Sequence, residues 1–503
     1  NLQVNLVTSI SDMYYDALKN RGPIADGQMS AERAGIANVF NVQNLSNSTK
    51  TTRLQEGWRE QTQSIFGSAE IGFKGAYYLT LTARNDWPSQ LAGPHSNRKS
   101  FFYPSIGGSV VLSQIIPNMP KELEYLKIRG SYASVGTAFE RYIANPMYSW
   151  NTSGLSWNTQ TQYPVYDLKP ELTNSFEIGL SMRFLQYFNF DATYYHTNTR
   201  NQTFNPQIST GSGSSDIFIQ SGDVRNQGLE LTLGFGKTWD KFTWNSNYTF
   251  SFNENKIMSL AENVTNPATG EKFSVSQLDM NGLGLAHFIL REGGTLGDLY
   301  SLGDFNYDSN GRIIVNEDGT VTTRTFSDTK DYVKLGSVLP KANMSWRNDF
   351  NIAGFNFGFL VSARLGGIVY SSTQAILDYY GVSEASALAR DNGGVFLNGG
   401  DRLDANKWYS SVGGSNPLPQ EYTYSGTNVR LQEASVGYTF PRKMLGNVCD
   451  LNISVVGRNL WMIYNKAPFD PESIATTGNY YQGIDHFMMP SLRNFGFSVR
   501  VTF

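Results

Sequence analysis

The last ten residues, Asn494-Phe-Gly-Phe-Ser-Val-Arg-Val-Thr-Phe503, decide the fold. Phe495, Phe497, Val499, Val501 and Phe503 take the odd places, and Asn494, Gly496, Ser498, Arg500 and Thr502 the even ones. Successive side chains of a strand point to opposite faces, so this decapeptide has one wholly apolar face and one polar face. It also has the length that crosses a bilayer at a tilt, about 9 to 11 residues.

The same alternation recurs upstream. Leu2, Val4 and Leu6 alternate with Asn1, Gln3 and Asn5. Ile65, Gly67, Ala69, Ile71 and Phe73 alternate with Phe66, Ser68, Glu70 and Gly72. Beyond the Lys74-Gly75 turn, Tyr77, Leu79, Leu81 and Ala83 alternate with Tyr78, Thr80, Thr82 and Arg84, which predicts a hairpin of two membrane-length strands. Further strands are expected near 103–114, 124–135, 176–183, 187–197, 229–235, 244–250, 342–352, 355–365, 428–440, 448–460 and 494–503, about fourteen in all. The apolar phase changes between Val429, Leu431 and Ala434, Val436, which predicts a bulge near Gln432-Glu433.

The expected connections alternate between short and long. Short ones fall near 74, 115–123, 184, 237, 353 and 441, and long ones at 15–62, 88–102, 136–173, 198–225, 253–341, 366–427 and 461–493. Short periplasmic turns and long outward loops are the asymmetry of an outer-membrane barrel. A soluble sandwich or propeller rarely combines long strands, apolar outer faces and long loops on one side only. The expected class is therefore all-β, an antiparallel transmembrane β-barrel in the bacterial outer membrane, with lipid as its surroundings.

Composition agrees. The 503 residues are 14% aromatic and include 48 glycines, yet only 17% are charged, against about 25% in a soluble domain. No apolar run reaches the roughly 18 residues of a transmembrane helix. A single cysteine, Cys449, excludes an internal disulfide and a cysteine-built metal site. A net charge of −3 gives no reason to expect nucleic acid. The sequence starts at Asn1 with neither an initiating Met nor a signal peptide, so a processed or truncated product is expected.

Six segments, in register, carry a resemblance. They are Tyr125-Leu-Lys-Ile-Arg-Gly-Ser-Tyr-Ala-Ser-Val-Gly136, Leu172-Thr-Asn-Ser-Phe-Glu-Ile-Gly-Leu180, Gly222-Asp-Val-Arg-Asn-Gln-Gly-Leu-Glu-Leu-Thr-Leu233, Asn428-Val-Arg-Leu-Gln-Glu-Ala-Ser-Val-Gly-Tyr-Thr-Phe-Pro441, Gly457-Arg-Asn-Leu460 and Phe469-Asp-Pro-Glu472. Together they resemble the SusC/RagA family of TonB-dependent outer-membrane transporters along nearly the whole chain. The resemblance implies a plugged barrel of about 22 strands, of which residues 1–503 are the C-terminal portion, with the plug domain and first strands outside this chain. It also implies a SusD-like surface lipoprotein as a lid, the TonB complex acting through the plug, and import of an oligosaccharide or a peptide. Passive porin, siderophore receptor, barrel enzyme and adhesin are the rival functions.

Alternation assigns Glu70, Arg84, Lys127, Arg129, Glu177, Arg183 and Glu230 to the polar face, a wall of mixed sign that suits an uncharged or zwitterionic hydrophilic cargo. No catalytic residue is expected. His95, His196, His287 and His486 are scattered, neither an H-E-x-x-H pair nor a G-x-S-x-G elbow occurs, and Glu177 with Glu230 reads as ordinary pore lining.

No cofactor is required, but calcium is a candidate. Asn306, Asp308, Asn310, Gly311, Ile313 and Glu317 stand at positions 1, 3, 5, 6, 8 and 12 of a calcium loop. Position 1 is an uncharged Asn, and an Asn-Gly hairpin turn explains the same residues. Phe101, Phe102, Tyr103, Tyr194, Tyr195, Trp461 and Tyr464 fall near strand ends and are assigned to an interfacial girdle. Trp150, Trp157, Tyr379 and Tyr380 lie inside loops, where aromatic rings stack on sugars or pack against a partner protein.

Overall fold

The computed structural model describes residues 1–23, 41, 44–45, 52–92, 99–143, 150–151, 156–157, 162–163, 169–205, 216–265, 272–476 and 481–503. Fourteen strands form one antiparallel sheet in strict sequence order. They are β1 Leu2–Arg21, β2 Thr52–Phe73, β3 Tyr77–Pro88, β4 Phe101–Val111, β5 Leu123–Thr137, β6 Glu171–Phe184 and β7 Phe188–Phe204. The second seven are β8 Ile219–Trp239, β9 Phe242–Ser259, β10 Ala342–Ile352, β11 Phe355–Leu365, β12 Asn428–Phe440, β13 Asp450–Asn465 and β14 Asn494–Thr502. Each expected strand is present, and short and long connections alternate as the sequence predicts. The turns between β2 and β3 and between β10 and β11 use left-handed residues, Lys74 and Gly75 in one, Ala353 and Gly354 in the other.

Register places the two faces. One row runs Thr80, Gly107, Ser131, Glu177, Tyr195, Gly228 and Asn253 across β3 to β9, every member directly opposite the next. The same pairings put Glu70, Arg84, Lys127, Arg129, Arg183 and Glu230 on that face. The other face carries Leu81, Ile128, Ile178, Leu233, Phe252, Phe357, Val455 and Phe497, all exposed. A sheet that turns its apolar side chains outward is built for lipid rather than water.

The expected bulge is found. Leu360 faces Glu433 and the next residue, Val361, faces Leu431, leaving Gln432 as the extra residue. β13 answers with an irregularity of its own beside it, where Asn459 has a left-handed φ of 51°.

Two features go beyond the expectation. First, several strands are longer than a membrane crossing requires. β3 pairs with β2 only over Thr62–Phe73, while β1 and β2 continue as a two-stranded ribbon to Arg21 and Thr52. Tyr15 and Trp58 stack across that ribbon at 5.7 Å, and the Arg141 guanidinium lies 3.8 Å over the Trp58 ring while pairing with Glu60 at 2.5 Å.

Second, the long loops after β9, β11 and β13 are folded. The first contains a four-stranded sheet of Gln277–Leu283, Ala286–Arg291, Asp298–Ser301 and Val333–Ser337. The second contains helices α1 Ser372–Tyr379, α2 Glu384–Asp391 and α3 Ala405–Val412. The third adds Ile484–Asp485 as a parallel strand beside Ile368–Ser371. Phe288, Leu299, Phe305, Tyr370, Trp408, Tyr422 and Ile484 form one buried core from all three. The largest buried apolar cluster among the described residues is thus in this cap and not in the barrel wall.

Candidate functional site

The inward face of the wall is a lattice of charge-assisted bonds. Arg129 forks onto Asp191 at 2.9 and 3.0 Å and reaches Ser181 at 2.7 Å and Thr193 at 2.6 Å. Gly179, opposite Arg129, leaves the room for this, since a Cβ there would sit 2.6 Å from the guanidinium. Arg84 binds Asp86 at 2.7 Å, and Asp86 also accepts the Tyr103 hydroxyl at 2.5 Å. Further round, Arg347 pairs with Asp349 and Glu433, and Glu433 accepts again from Arg458. Bidentate and networked pairs of this kind hold side chains flat against the wall. Lys127, Glu177 and Glu230 have no ion-pair partner among the described residues, so the wall offers both signs to whatever passes.

The girdle assignment needs correction for three aromatics. Phe101 and Tyr103 pair with Asp86 and Arg84 and so face inward, where Phe101 is buried with Leu91, Phe139 and Ile143. Tyr195 also faces inward, donating to Asn253 at 2.9 Å across Gly228. Phe102, Trp461 and Tyr464 remain exposed, with Tyr194, on the outward face.

Above the wall, the cap loops are held together by polar ties. Asn398 brackets Ile313 from both sides, accepting from its N–H at 2.9 Å and donating to its carbonyl at 3.0 Å. Gln420 donates to the Gly303 carbonyl at 2.8 Å, and Ser371 to Asp485 at 2.6 Å. Burial pushes the Asp378 carboxyl up, against bonds from Ser383 and Gln374 that pull it down. Burial likewise raises Glu421. Asp470 goes the other way: burial would raise it, but bonds from Ser491, the Glu472 N–H and Arg430 hold it below the usual carboxylate range.

The loop candidates lie in two places. Trp150 and Trp157 are cross-strand partners in a small hairpin with Asn151 and Ser156, and Trp157 is exposed. Tyr379 and Tyr380 end α1 in an edge-to-face pair at 5.2 Å, with Tyr380 the more exposed. Asn306, Asp308, Asn310 and Glu317 lie in stacked turns, where Tyr307 bridges Ile313 and Val315 bridges Val321. Asp308 Oδ1 accepts from the Arg312 and Asn310 N–H groups, which lower its pKa, and Gly311 supplies a φ of 76°. No group of three or more His, Cys, Asp or Glu side chains among the described residues is placed to hold a metal.

Of the described histidines, His287 bonds Asp279, His486 lies 3.2 Å from Ser372 and His196 sits on β7, so they are not assembled. His95 lies outside the described residues. Sequence reasoning missed Asp191 as the partner of Arg129, and Asp470 and Glu472 as partners of Arg430. Asp191 could have been found from its inward parity on β7; the Arg430 contacts join residues forty apart and leave no local signal.

A lipid-facing apolar exterior around a polar, ion-paired interior defines the wall of an outer-membrane barrel. Comparison with known proteins makes this specific. A family model described as TonB dependent receptor-like, beta-barrel matches residues 14–339, and the chain belongs to that family. TonB-dependent receptor P3 of Formosa agariphila is 23% identical over 515 residues, covering 95% of this chain and 49% of the relative. Receptor P26 of the same organism is 26% identical, covering 94% and 50%. The chain therefore spans about half the length of the curated relatives it matches. Among solved structures, the RagAB peptide importer in its open-open and closed-closed states superposes with a TM-score of 0.74 at 15% identity, over 100% of this chain and 52% and 54% of those chains. At that identity the match shows the fold, and it agrees with the SusC/RagA resemblance of the six motifs. Members of the family are transporters rather than enzymes.

Proposed function

We propose that this chain is the C-terminal part of a TonB-dependent transporter that imports large hydrophilic nutrients, oligosaccharides first, across the outer membrane. The observation that carries the reading is the inward wall. It is polar along its length, most of its arginines pair with acids, and the charges without an ion pair among the described residues, Lys127 and Arg183 with Glu70, Glu177 and Glu230 among them, are of both signs. Such a surface exchanges hydrogen bonds with a hydroxyl-rich cargo without repelling it.

The sheet order has two ends, β1 and β14. Open edges in lipid leave backbone groups unsatisfied at several kcal/mol each, which supports further strands that close the barrel; a plug within it, the element on which TonB would act, is proposed from the family resemblance. A SusD-like lipoprotein closing over the cap is part of the proposal. Trp150, Trp157, Tyr379 and Tyr380 are its proposed contacts for cargo or lid. No cofactor is required.

An oligopeptide is the second cargo, favoured by the fold shared with the RagAB peptide importer. Growth of a strain lacking the gene on defined oligosaccharides and peptides tests both. Loss of growth on one class names the cargo, and unaffected growth on all of them overturns the import reading.

A further inference from the structure

Beside the cap lies a cluster that the transport reading does not use. Arg430 stands on the inward face of β12 with its side chain only 5% exposed. Its Nη2 lies 2.8 Å from Asp470 Oδ1 and 3.3 Å from Glu472 Oε2. Asn428, two residues away on the same face, donates to Glu472 at 3.2 Å. Asp470 also gathers the far end of its own loop, accepting the Ser491 N–H at 3.3 Å. Asn465 fixes the turn off β13, donating to the Ala467 and Phe469 carbonyls. Both feet of the 466–493 segment therefore meet at Asp470, which the buried Arg430 guanidinium holds.

The other end of that segment is in the cap. Ile484 belongs to the cap core, Asp485 binds Ser371, and the Phe487 N–H donates to Thr373 at 2.6 Å. The segment is a strap with a charged anchor at the wall and an apolar anchor in the cap. A buried ion pair adds little net stability compared with an apolar pair of the same shape, and its attested use is to fix one arrangement or to switch between two.

We propose that Arg430, Asp470 and Glu472 form a releasable ionic anchor that holds the cap over the barrel mouth, so that cap displacement requires this cluster to open. Arg430 is a positioning residue in this scheme: it acts on the cap through the strap. The proposal does not depend on the identity of the cargo, and its readout is separate from uptake.

The test is hydrogen exchange on the full-length transporter in detergent or nanodiscs, comparing the parent protein with Arg430→Met, Asp470→Asn and the double variant Arg430→Met/Asp470→Leu. Resistance of the barrel to denaturation by SDS without heating confirms that each variant is folded. Arg430→Met and Asp470→Asn are expected to raise exchange at Tyr370 and Ile484 at least tenfold while leaving Leu79 and Leu81 unchanged. The apolar double variant is expected to return cap exchange toward the parent level. Unchanged cap exchange in both single variants overturns the anchor. Equal acceleration in cap and barrel overturns it too, because the cluster would then be a general stabiliser of the wall.

Discussion

The barrel wall and the cap solve opposite problems with the same residues. In the wall, Leu81, Ile128, Phe357 and Val455 point out and Arg129, Asp191 and Glu433 point in. In the cap, Phe288, Leu299, Trp408 and Ile484 are buried, and apart from the buried Asp298, Asp378 and Asp485 the charged groups lie largely at the surface. The wall buries only small apolar clusters toward the ends of its strands, Phe101 with Leu91 and Phe204 with Val224 and Ile257, because lipid takes the role of a core; the cap stands in water and must make one. Inversion of polarity, rather than secondary structure, separates the membrane part of this chain from its extracellular part.

The comparison can be broken from either side. The largest effect is expected from Trp408→Ala. Trp408 is buried and stacks on Phe305 at 5.7 Å, so its loss should destabilise the cap by about 3–5 kcal/mol, read by hydrogen exchange of the cap, with the wall unaffected. Next, Leu81→Arg places a charge on the lipid face and should cost about 2–4 kcal/mol near the bilayer midplane, read by chemical unfolding in lipid vesicles. Ser131→Arg, on the inward face, should cost within about 0.5 kcal/mol. Equal costs at positions 81 and 131 would refute the assignment of faces.

A third expectation concerns pH. Asp378 is raised in the fold, so the unfolded chain gives up its proton first and cap stability falls as pH rises from the ordinary carboxylate value to the raised one. Asp470 is lowered, so its contribution is present above the ordinary value and is lost as pH falls through the lowered one. From these two groups, cap stability should peak near the ordinary aspartate pKa, about 3.9. Asp378→Asn should shrink the alkaline limb, leaving the part that Glu421 contributes, and Asp470→Asn should flatten the acid limb, measured by cap exchange against pH.

The smallest effect is expected from calcium. Asp308 already spends Oδ1 on two backbone N–H groups, so added calcium should leave the thermal midpoint unchanged. A rise of several degrees, abolished by Asp308→Asn, would instead establish the calcium loop.

Most of the wall was legible in the sequence because a period of two survives over ten residues without reference to anything distant. The bulge at Gln432 was legible for the same reason, as a slip of that period. Phe101 and Phe102 were not separable, since adjacent aromatics satisfy either face and only the pairing of Phe101 with Asp86 decides. The cap was invisible for a different reason. Its core draws Phe288, Tyr370, Trp408 and Ile484 from segments up to two hundred residues apart, each too short to show a period. The anchor at Arg430 shares that cause: Phe469-Asp-Pro-Glu472 was recognisable as a motif, but nothing local pointed to its guanidinium partner.

The bulge has one more consequence. Below it, the odd residues Glu433, Ser435 and Gly437 look inward; above it, the even residues Asn428 and Arg430 do. Gln432 works as a frameshift in a two-letter alphabet of inside and outside. Deleting its codon would leave the text on either side reading the same. Adding a second codon there would also restore simple alternation, keeping Arg430 inside and Val429 and Leu431 outside, at the cost of moving the pairing above the site by two residues.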